Sequence, residues 1–207
     1  LKGSMIKFPK ISVGATENSI IAACLAKGKT ILKNCAIEPE IKDLTNFLNL
    51  AGAKIRWSGR TCKILGTDSL NQTEYTVMAD RIEAGTFCVA ATLTKGNLEI
   101  KNFNSDIIRT ELELLKKAGA RIKINSNKIT VIGPEKIKPI KNIKTREWPG
   151  VATGMQSQLM VLMCRADGKS SITENIFENR FLHVGELQRL GANIEIKKTK
   201  AFIYGLS

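Results

Sequence analysis

The sequence has few of the residues that mark metal sites, disulfide frameworks or membrane spans. Its 207 residues include one histidine, five cysteines and only 5% aromatic residues. The lone His183 excludes a histidine-rich metal site. The cysteines are odd in number, are widely spaced and form no C-x-x-C pair, so neither a disulfide framework nor a zinc site is predicted.

Hydrophobic segments of the length that membranes require are also missing. No apolar run approaches the roughly 18 to 20 residues of a membrane-spanning helix. The first residues carry no charged stretch followed by an apolar one, so no secretory signal is visible. The sequence starts at Leu1 rather than at a methionine, which predicts a fragment of a longer protein. We therefore expect no membrane partner, and the absence of a predicted disulfide framework fits a reducing cytoplasm best.

What the sequence does have is an excess of positive charge. Its 32 basic and 19 acidic residues give a formal net charge of +13. Such an excess attracts nucleic acid, anionic membranes or polyanionic small substrates. A single-strand binder usually pairs basic residues with stacking aromatic rings, and these are scarce here. Solvated lysine-rich faces are therefore favoured over nucleic-acid binding, and no nucleic-acid partner is predicted.

One pattern occurs three times along the chain. Each copy opens around a glycine, as A-K-G-K-T-I-L-K-N from residue 26, T-K-G-N-L-E-I-K-N from residue 94 and A-D-G-K-S-S-I-T-E-N from residue 166. A second shared run is A-G-A-K-I, A-G-A-R-I and L-G-A-N-I, from residues 51, 118 and 190. A closing glycine stands at 66, 133 and 205.

The spacing of these glycines shows that the repeat is not accidental. The first and second glycines are 24, 23 and 23 residues apart, and the second and closing glycines are 14 apart in every copy. Three glycines kept in register through three copies are hard to obtain by chance. The sequence therefore predicts three copies of one structural unit.

Each copy predicts a helix, a strand, an amphipathic helix and a hairpin. The first helices are predicted over residues 20–26, 86–93 and 156–164, each ended by the first glycine in a left-handed conformation. Linkers are predicted over 67–75 and 134–148. The apolar face of the second helix is predicted from helical spacing at Leu44, Phe47, Leu48 and Ala51, at Ile108, Leu112 and Leu115, and at Leu187 and Leu190. The predicted fold class is α/β, built from repeated helix–strand–helix–hairpin units.

Four stretches resemble a known family. They are K-I-S-V-G-A-T from residue 10, E-P-E-I-K-D-L from residue 38, D-R-I-E-A-G-T-F from residue 80 and E-N-I-F-E-N-R-F-L-H-V-G-E-L from residue 174. Together they resemble the enolpyruvyl transferases, in the branch that acts on UDP-N-acetylglucosamine rather than in its shikimate-pathway sibling. The resemblance extends over the whole chain.

The resemblance implies an inside-out α/β barrel of six such units, three in each of two domains. On this mapping residues 1–79 form the third unit of the first domain. Residues 80–207 form the first two units of the second domain, and 145–207 are the second of these. Three of the six units are present, so the remaining half of the same enzyme is the implied partner.

The resemblance also implies a reaction. The enolpyruvyl group of phosphoenolpyruvate moves to the 3′-hydroxyl of UDP-N-acetylglucosamine by addition and elimination, and phosphate is released. Such chemistry needs a base, an acid and cations around the anionic groups. No metal and no organic cofactor is implied. The reactive cysteine of the family lies outside this chain, and none of the five cysteines matches it.

One candidate segment matches the part of the family that lines the UDP-sugar site from the first domain. From the residues alone, the segment is better explained as a strand end that runs into a helix capped by Ser12 or Thr16. The resemblance favours substrate contact instead, since a cation, a hydroxyl and an open backbone suit a diphosphate. The candidates are Lys10, Ile11, Ser12, Val13 and Gly14.

Gly154 departs from the family pattern. It lies in W-P-G-V-A-T-G-M-Q-S-Q, where the family carries an aspartate that contacts the sugar 3′-hydroxyl and is the implied base. Glycine cannot accept a proton, and loss of a general base costs on the order of 10² to 10⁴ in rate. Its other interpretation is a helix N-cap. No catalytic residue is therefore assigned, and Gly154 is kept as a substrate-binding position.

Further candidates lie in the E-N-I-F-E-N-R-F motif. Ile176 matches a backbone contact to the UDP-sugar, and Arg180 matches an arginine that faces the interdomain cleft. On charge alone, Arg180 equally predicts an ion pair with Glu178 or Glu186. His183 is interpreted as a structural, hydrogen-bonded residue of the second helix.

Two pairs of charged residues are weaker candidates. Glu38 and Glu40 are either cleft groups or ordinary acidic residues at the start of a helix. Asp80 and Arg81 fall at the implied domain crossover, where a charge pair can fix a hinge.

Three functions remain open on the sequence. The first is a piece of a working transferase. The second is an inactive relative that still binds UDP-sugar or a protein partner, for which Gly154 is the main support. The third, less favoured, is a basic repeat protein that binds nucleic acid.

Overall fold

The structure, a computed structural model, describes residues 1–205. It divides into two compact units, the first ending at Met78 and the second beginning at Ala79. Each unit has a hydrophobic core of its own. Within the described residues, no helix is both long enough and apolar enough to cross a bilayer.

The first unit packs two helices against a four-stranded sheet. Its elements are β1 (Met5–Lys7), α1 (Val13–Cys24), β2 (Lys29–Lys33), α2 (Pro39–Leu50), β3 (Lys54–Ser58) and β4 (Thr61–Leu65). The sheet order is β1-β2-β4-β3; β1 runs parallel to β2, and the other pairs are antiparallel. Buried Cys24, Cys35 and Cys62 contribute to this core as small apolar groups.

The second unit contains two further copies. The first comprises α3 (Arg81–Leu93), β5 (Asn97–Lys101), a 3₁₀ turn (Ser105–Ile108), α4 (Arg109–Lys117), β6 (Arg121–Asn125) and β7 (Lys128–Ile132). The next comprises β8 (Ile143–Lys144), a 3₁₀ turn (Thr153–Met155), α5 (Gln156–Cys164), β9 (Lys169–Thr173), α6 (Val184–Arg189), β10 (Asn193–Lys197) and β11 (Lys200–Tyr204). Their sheets have the orders β5-β7-β6 and β10-β11-β9-β8, and α3 packs against α4 and α5.

The predicted units are present, with three corrections. The second glycine stops the amphipathic helix in each copy, since Gly52, Gly119 and Gly191 all have positive φ one residue past the C-cap. The first helices do not end at the first glycine: α1 and α5 end four residues before Gly28 and Gly168, and in the middle copy Lys95 takes the left-handed conformation. The α1 and α3 helices also begin earlier than predicted. The predicted linker over 134–148 contains β8.

The closing glycine of each copy sits where no side chain fits. Its N–H donates to the carbonyl oxygen of the first glycine, at 2.9, 2.9 and 3.1 Å in the three copies. A Cβ would stand 1.6, 2.4 or 1.9 Å from a backbone oxygen of the same copy. The glycines are Gly66, Gly133 and Gly205, and the facing oxygens belong to Ala26, Ala91 and Ala166. Close backbone approach therefore explains why this position is glycine three times.

The predicted apolar faces are buried in the middle copy and incomplete elsewhere. Ile108, Leu112 and Leu115 are each 1% exposed, whereas Phe47 is 38% exposed. The prediction that Leu190 joins a buried face is wrong, because its side chain is 85% exposed. The α6 helix has only six residues and ends at Arg189, so Leu190 lies beyond the helical face.

Candidate functional site

In the first unit, the Lys10–Gly14 segment leads into α1, and Ser12 is the N-cap residue. Its backbone is extended (φ −144°, ψ 125°), and its Oγ accepts a hydrogen bond from the Ala15 amide at 3.2 Å. Its carbonyl oxygen accepts from the amide and the hydroxyl of Thr16, at 3.1 and 2.7 Å. The cap predicted at Ser12 is confirmed, and the alternative cap at Thr16 is wrong because Thr16 lies inside the helix.

Thr16 anchors this helix start to its own unit. Its side chain is fully buried, and its Oγ1 accepts a hydrogen bond from the Ala36 amide at 3.0 Å. Ile11 and Val13 pack against the core. Lys10, Ser12 and Gly14 are exposed. The cationic, hydroxyl-bearing and small residues of the segment thus face solvent on a fixed backbone.

The electrostatics of this helix start suit an anion. A helix N-terminus carries partial positive charge and unpaired amides, and the first turn of α1 has no acidic residue. Lys10 adds a full positive charge next to it. A Cβ added to Gly14 would meet no atom within 4 Å, so the space above this backbone is open.

Two carboxylates of the first unit affect the titration of a third. Glu40 lies in the first turn of α2, as predicted, and Glu38 occupies the N-cap position and is buried. The pKa of Glu17 is raised, first because burial removes water from its carboxyl and then because Glu40 and Glu38 repel its charge. Sequence reasoning missed Glu17.

In the second unit, the Thr153–Met155 turn is held by two consecutive residues of α4. The amide of Ala152 donates to Glu111 Oε1 at 2.9 Å, and Glu111 is 4% exposed. The hydroxyl of Thr110 donates to the carbonyl oxygen of Pro149 at 2.6 Å. These bonds fix the backbone immediately before the turn.

Gly154 is the middle residue of that turn. The N-cap of the turn is Ala152, so the interpretation of Gly154 as an N-cap is wrong. The backbone of Gly154 is not in the left-handed region, so it permits an L side chain. An added Cβ would lie 3.2 Å from Ile82 Cδ1, so the tip of Ile82 would have to shift by a few tenths of an ångström. Nothing in the backbone therefore requires glycine here, yet the position offers no proton acceptor.

A buried carboxylate links this turn to the segment that follows β9. Glu174 is 2% exposed. Its Oε2 accepts a hydrogen bond from the Thr153 hydroxyl at 2.9 Å. Its Oε1 accepts from the amides of Ile176 and Phe177, at 2.8 and 3.1 Å. Because the Ile176 amide is already used, a backbone contact from Ile176 to a ligand has to come from its carbonyl oxygen.

Arg180 does not form the ion pair that charge alone predicted. Its guanidinium lies 5.6 Å from the centroid of the Phe177 ring. Glu186 instead pairs with Arg189 at 3.2 Å, and within residues 1–205 Arg180 makes no ion pair. The exposed guanidinium remains available to an anionic ligand.

His183 immediately precedes α6 rather than lying in it. Its pKa is lowered, first by burial and then by the positive charge of Arg180, while a hydrogen bond to the backbone of Arg180 acts in the opposite direction. The ring is therefore predominantly neutral at pH 7.

Sequence reasoning missed Glu174, although a signal for it exists. The run that ends in an asparagine is one residue longer in the third copy: Asn34 and Asn102 lie six residues after their glycines, whereas Asn175 lies seven after Gly168 and Glu174 is the additional residue. Asn34 and Asn102 are in the left-handed conformation, with φ of 61° and 55°, whereas Glu174 is not. This break in the repeat is visible in the alignment of the three copies.

The candidates of the two units occupy the same place in their repeats. Ser12, Asp80 and Ala152 each lie 16 residues before the first glycine of a copy, and each is an N-cap. Asp80 caps α3 by accepting from the amides of Ile82 and Glu83, at 2.7 and 3.1 Å. The third copy has no capping side chain at Ala152.

Comparison with known proteins agrees with the motifs. The chain belongs to the EPSP synthase (3-phosphoshikimate 1-carboxyvinyltransferase) family, whose profile matches residues 1–205. Its relatives bear a more particular name. Proteins of Pelagibacter ubique and Clostridium perfringens, 57% and 51% identical over 99% and 100% of this chain, are named UDP-N-acetylglucosamine 1-carboxyvinyltransferase, the latter with the suffix 1. The chain spans about half the length of these relatives, 49% and 50%. The resemblance predicted from the sequence is confirmed.

Solved structures support the predicted fold. The enolpyruvyl transferase NikO from Streptomyces tendae matches with a TM-score of 0.82 at 26% identity, over 93% of this chain and 46% of that one. EPSP synthase from Acinetobacter baumannii matches with a TM-score of 0.70 at 18% identity, over 99% of this chain and 49% of that one, which bears on the fold alone. The fold class, repeated α/β units of the enolpyruvyl transferase type, is confirmed.

Proposed function

We propose that the chain is part of a UDP-N-acetylglucosamine 1-carboxyvinyltransferase of about twice its length. That enzyme transfers the enolpyruvyl group of phosphoenolpyruvate to the 3′-hydroxyl of UDP-N-acetylglucosamine in the cytoplasm, the first committed step of peptidoglycan synthesis. In this proposal residues 1–79 complete the first domain and residues 80–207 begin the second. The chain supplies part of the UDP-sugar site and relies on the remaining half for the reactive cysteine.

The observation that carries the proposal is the exposed, capped start of α1. Lys10, Ser12 and Gly14 face solvent there, and the first helical turn contains no acidic residue. Backbone amides at a helix N-terminus, a lysine and a hydroxyl are suited to the diphosphate of a nucleotide sugar. The names of the relatives give the same ligand.

The second unit carries further candidate contacts to the reactants in this proposal. Ile176 offers its carbonyl oxygen, and Arg180 offers a guanidinium that no ion pair occupies within the described part of the chain. Gly154 lies on a turn that is fixed through Ala152.

Gly154 favours a second candidate, a protein that binds UDP-N-acetylglucosamine without turnover. A glycine cannot remove the proton of the 3′-hydroxyl. Loss of a general base leaves the binding contacts in place while lowering the rate by about 10² to 10⁴.

The two candidates are separated by measuring binding and turnover on the same full-length protein. Isothermal titration gives the affinity for UDP-N-acetylglucosamine, and phosphate release from phosphoenolpyruvate is followed with and without that sugar nucleotide. A Lys10→Ala variant tests the α1 site, and Lys27→Ala is the matched control, because Lys27 is also exposed but lies beyond the C-terminal end of α1.

Sugar-dependent phosphate release supports the transferase. Binding without phosphate release supports the second candidate. If the protein neither binds UDP-N-acetylglucosamine nor releases phosphate, both are refuted. Equal binding by the Lys10→Ala and Lys27→Ala variants would remove the α1 start from the site.

A further inference from the structure

We propose that Glu174 is a positioning residue for the sugar-nucleotide site, and that its buried carboxylate holds the Thr153–Met155 turn in register with the backbone of Ile176 and Phe177. The inference rests on the function proposed above, because the ligand to be positioned is UDP-N-acetylglucosamine. No direct contact between Glu174 and the ligand is required.

The hydrogen bonds of Glu174 join two separate parts of the candidate site. Thr153, which donates to Oε2, is the residue directly before Gly154. Ile176, which donates to Oε1, is 23 residues further along the chain than Thr153. One carboxylate therefore determines the distance between the two backbone stretches that are assigned to the sugar.

The carboxylate is held by neutral groups. Its hydrogen-bond donors are one hydroxyl and two backbone amides, and no lysine or arginine within the described residues forms an ion pair with it. Removing a carboxylate from water is unfavourable unless its oxygens are well satisfied, and bonds to a charged acceptor are short and directional. A group buried in this way constrains its donors tightly.

The repeat indicates that the fold itself does not need a carboxylate here. In the other two copies the asparagine that ends the shared run, Asn34 or Asn102, has no glutamate before it, whereas Glu174 is an additional residue before Asn175. The asparagine keeps the structural contact of the repeat: Nδ2 of Asn34 donates to a backbone carbonyl oxygen 26 residues away at 3.0 Å, and Nδ2 of Asn175 donates to one 30 residues away at 3.2 Å. Only the copy that contains Gly154 has this buried glutamate. The additional residue therefore coincides with the candidate site rather than with the repeat.

The hydrogen bond to Glu174 determines which backbone atom Ile176 can offer to a ligand. With its amide bonded to Oε1, Ile176 can present only its carbonyl oxygen to a ligand. If the carboxylate is lost, the amide is released and this orientation is no longer imposed. Affinity for the sugar nucleotide should fall more than fold stability does.

The test uses the full-length protein and breaks one bond at a time. Thr153→Val removes the hydroxyl but keeps the side-chain shape, and Thr153→Ser restores a hydroxyl. Glu174→Gln keeps the acceptor for the two amides but removes the charge. Thr92→Val is the matched control, because Thr92 is a fully buried threonine of the same unit whose hydroxyl bonds only within α3. Affinity for UDP-N-acetylglucosamine and the thermal midpoint are measured for each.

We expect Thr153→Val to weaken binding about tenfold, a typical effect of losing one charge-assisted hydrogen bond. Thr153→Ser should bind UDP-N-acetylglucosamine within about twofold of the parent protein. Thr92→Val should bind it as tightly as the parent protein, although its thermal midpoint falls about as much as that of Thr153→Val. Glu174→Gln should weaken binding in the same direction. Combined with Thr153→Val it should add little, because both act on one bond.

The outcomes separate the two proposals. If the parent protein binds and both Thr153→Val and Glu174→Gln bind equally well, Glu174 is not a positioning residue, while the proposed function stands. If the parent protein itself does not bind UDP-N-acetylglucosamine, the proposed function fails and this inference fails with it. Should Thr153→Val not fold, the affinity of Glu174→Gln decides.

Discussion

On the proposed function, replacing Gly154 by aspartate should supply a general base to the full-length protein. The rate of sugar-dependent phosphate release is expected to rise by about 10² to 10⁴, the usual contribution of a positioned general base. The affinity for UDP-N-acetylglucosamine should change much less, because the other proposed contacts are untouched.

The surroundings of Gly154 determine how much this substitution changes the free energy of unfolding. A Cβ at position 154 lies 3.2 Å from Ile82 Cδ1, which is the end of a flexible side chain. Turning that side chain away from its preferred rotamer costs about 0.5–1.5 kcal/mol. Two gains offset it: replacing glycine where the backbone is permissive is worth about 0.4–1 kcal/mol, and an acidic residue at a helix start about 0.3–1 kcal/mol. The net change is close to zero, so the thermal midpoint should move by less than about 4 °C.

The assay follows phosphate release at saturating phosphoenolpyruvate and UDP-N-acetylglucosamine. Gly154→Asn is the matched control, because its side chain has the shape of aspartate but is not a base at neutral pH. We expect the aspartate variant alone to accelerate the reaction. A thermal melt of each variant confirms that differences in rate do not come from differences in folding.

Two results would refute this reasoning. If the parent protein turns over as fast as the Gly154→Asp variant, another group takes the proton and the assignment of the base is wrong. If the asparagine variant is accelerated equally, the gain comes from binding geometry and not from proton transfer.

Further predictions concern the core, the surface and the thiols. Gly66→Ala should destabilise the full-length protein by at least about 2 kcal/mol in urea unfolding, because the added Cβ would overlap a backbone oxygen. The control Gly14→Ala should cost much less, because its Cβ meets no atom within 4 Å. Equal losses of stability in the two variants would contradict the packing argument. The isolated 207-residue chain should self-associate in sedimentation velocity through exposed apolar groups such as Leu190, which is 85% exposed. Leu190→Glu should reduce this association. A chain that sediments as a monomer at all concentrations would contradict the prediction. Burial raises the pKa of Cys62 to about 12, so that its thiol stays protonated at pH 8. Among the five cysteines of this chain, a thiol reagent at that pH should label the half-buried Cys164 first and Cys62 only on unfolding. Early labelling of Cys62 would contradict the burial of its thiol.

The repeated parts of the fold could be predicted because their signals are local. The glycines that stop the second helices and the strands that follow them recur at fixed spacing, and α5 was predicted with its observed bounds. The start of α1 was placed too late, because Glu17 and Asn18 interrupt the apolar pattern that marks a helix. A strand end before α1 was expected without bounds, whereas the short strand β8 was missed, because a parallel pairing with a distant strand leaves no pattern in two residues.

The candidate site was predicted only in part. The cap at Ser12 follows from a hydroxyl placed before a helix, which is a local rule. The hydrogen bond between Thr153 and Glu174 spans 21 residues, and nothing in the composition of either segment indicates it. The failed ion pair of Arg180 shows the opposite error: opposite charges within a few residues suggested a contact, but Glu186 pairs with Arg189 instead.

The closing glycines have a consequence for how such a protein can have grown. The closing glycine of each copy is hydrogen-bonded to its first glycine, which stands directly before β2, β5 or β9, after 38, 37 and 37 residues. A copy therefore ends beside the start of the strand that follows its first helix. Because each closure is completed within one copy, its entropic cost does not increase with the number of copies. A duplicated gene segment can thus be appended in tandem without breaking the hydrogen bonds of the copies already present, which makes lengthening by duplication a short evolutionary step.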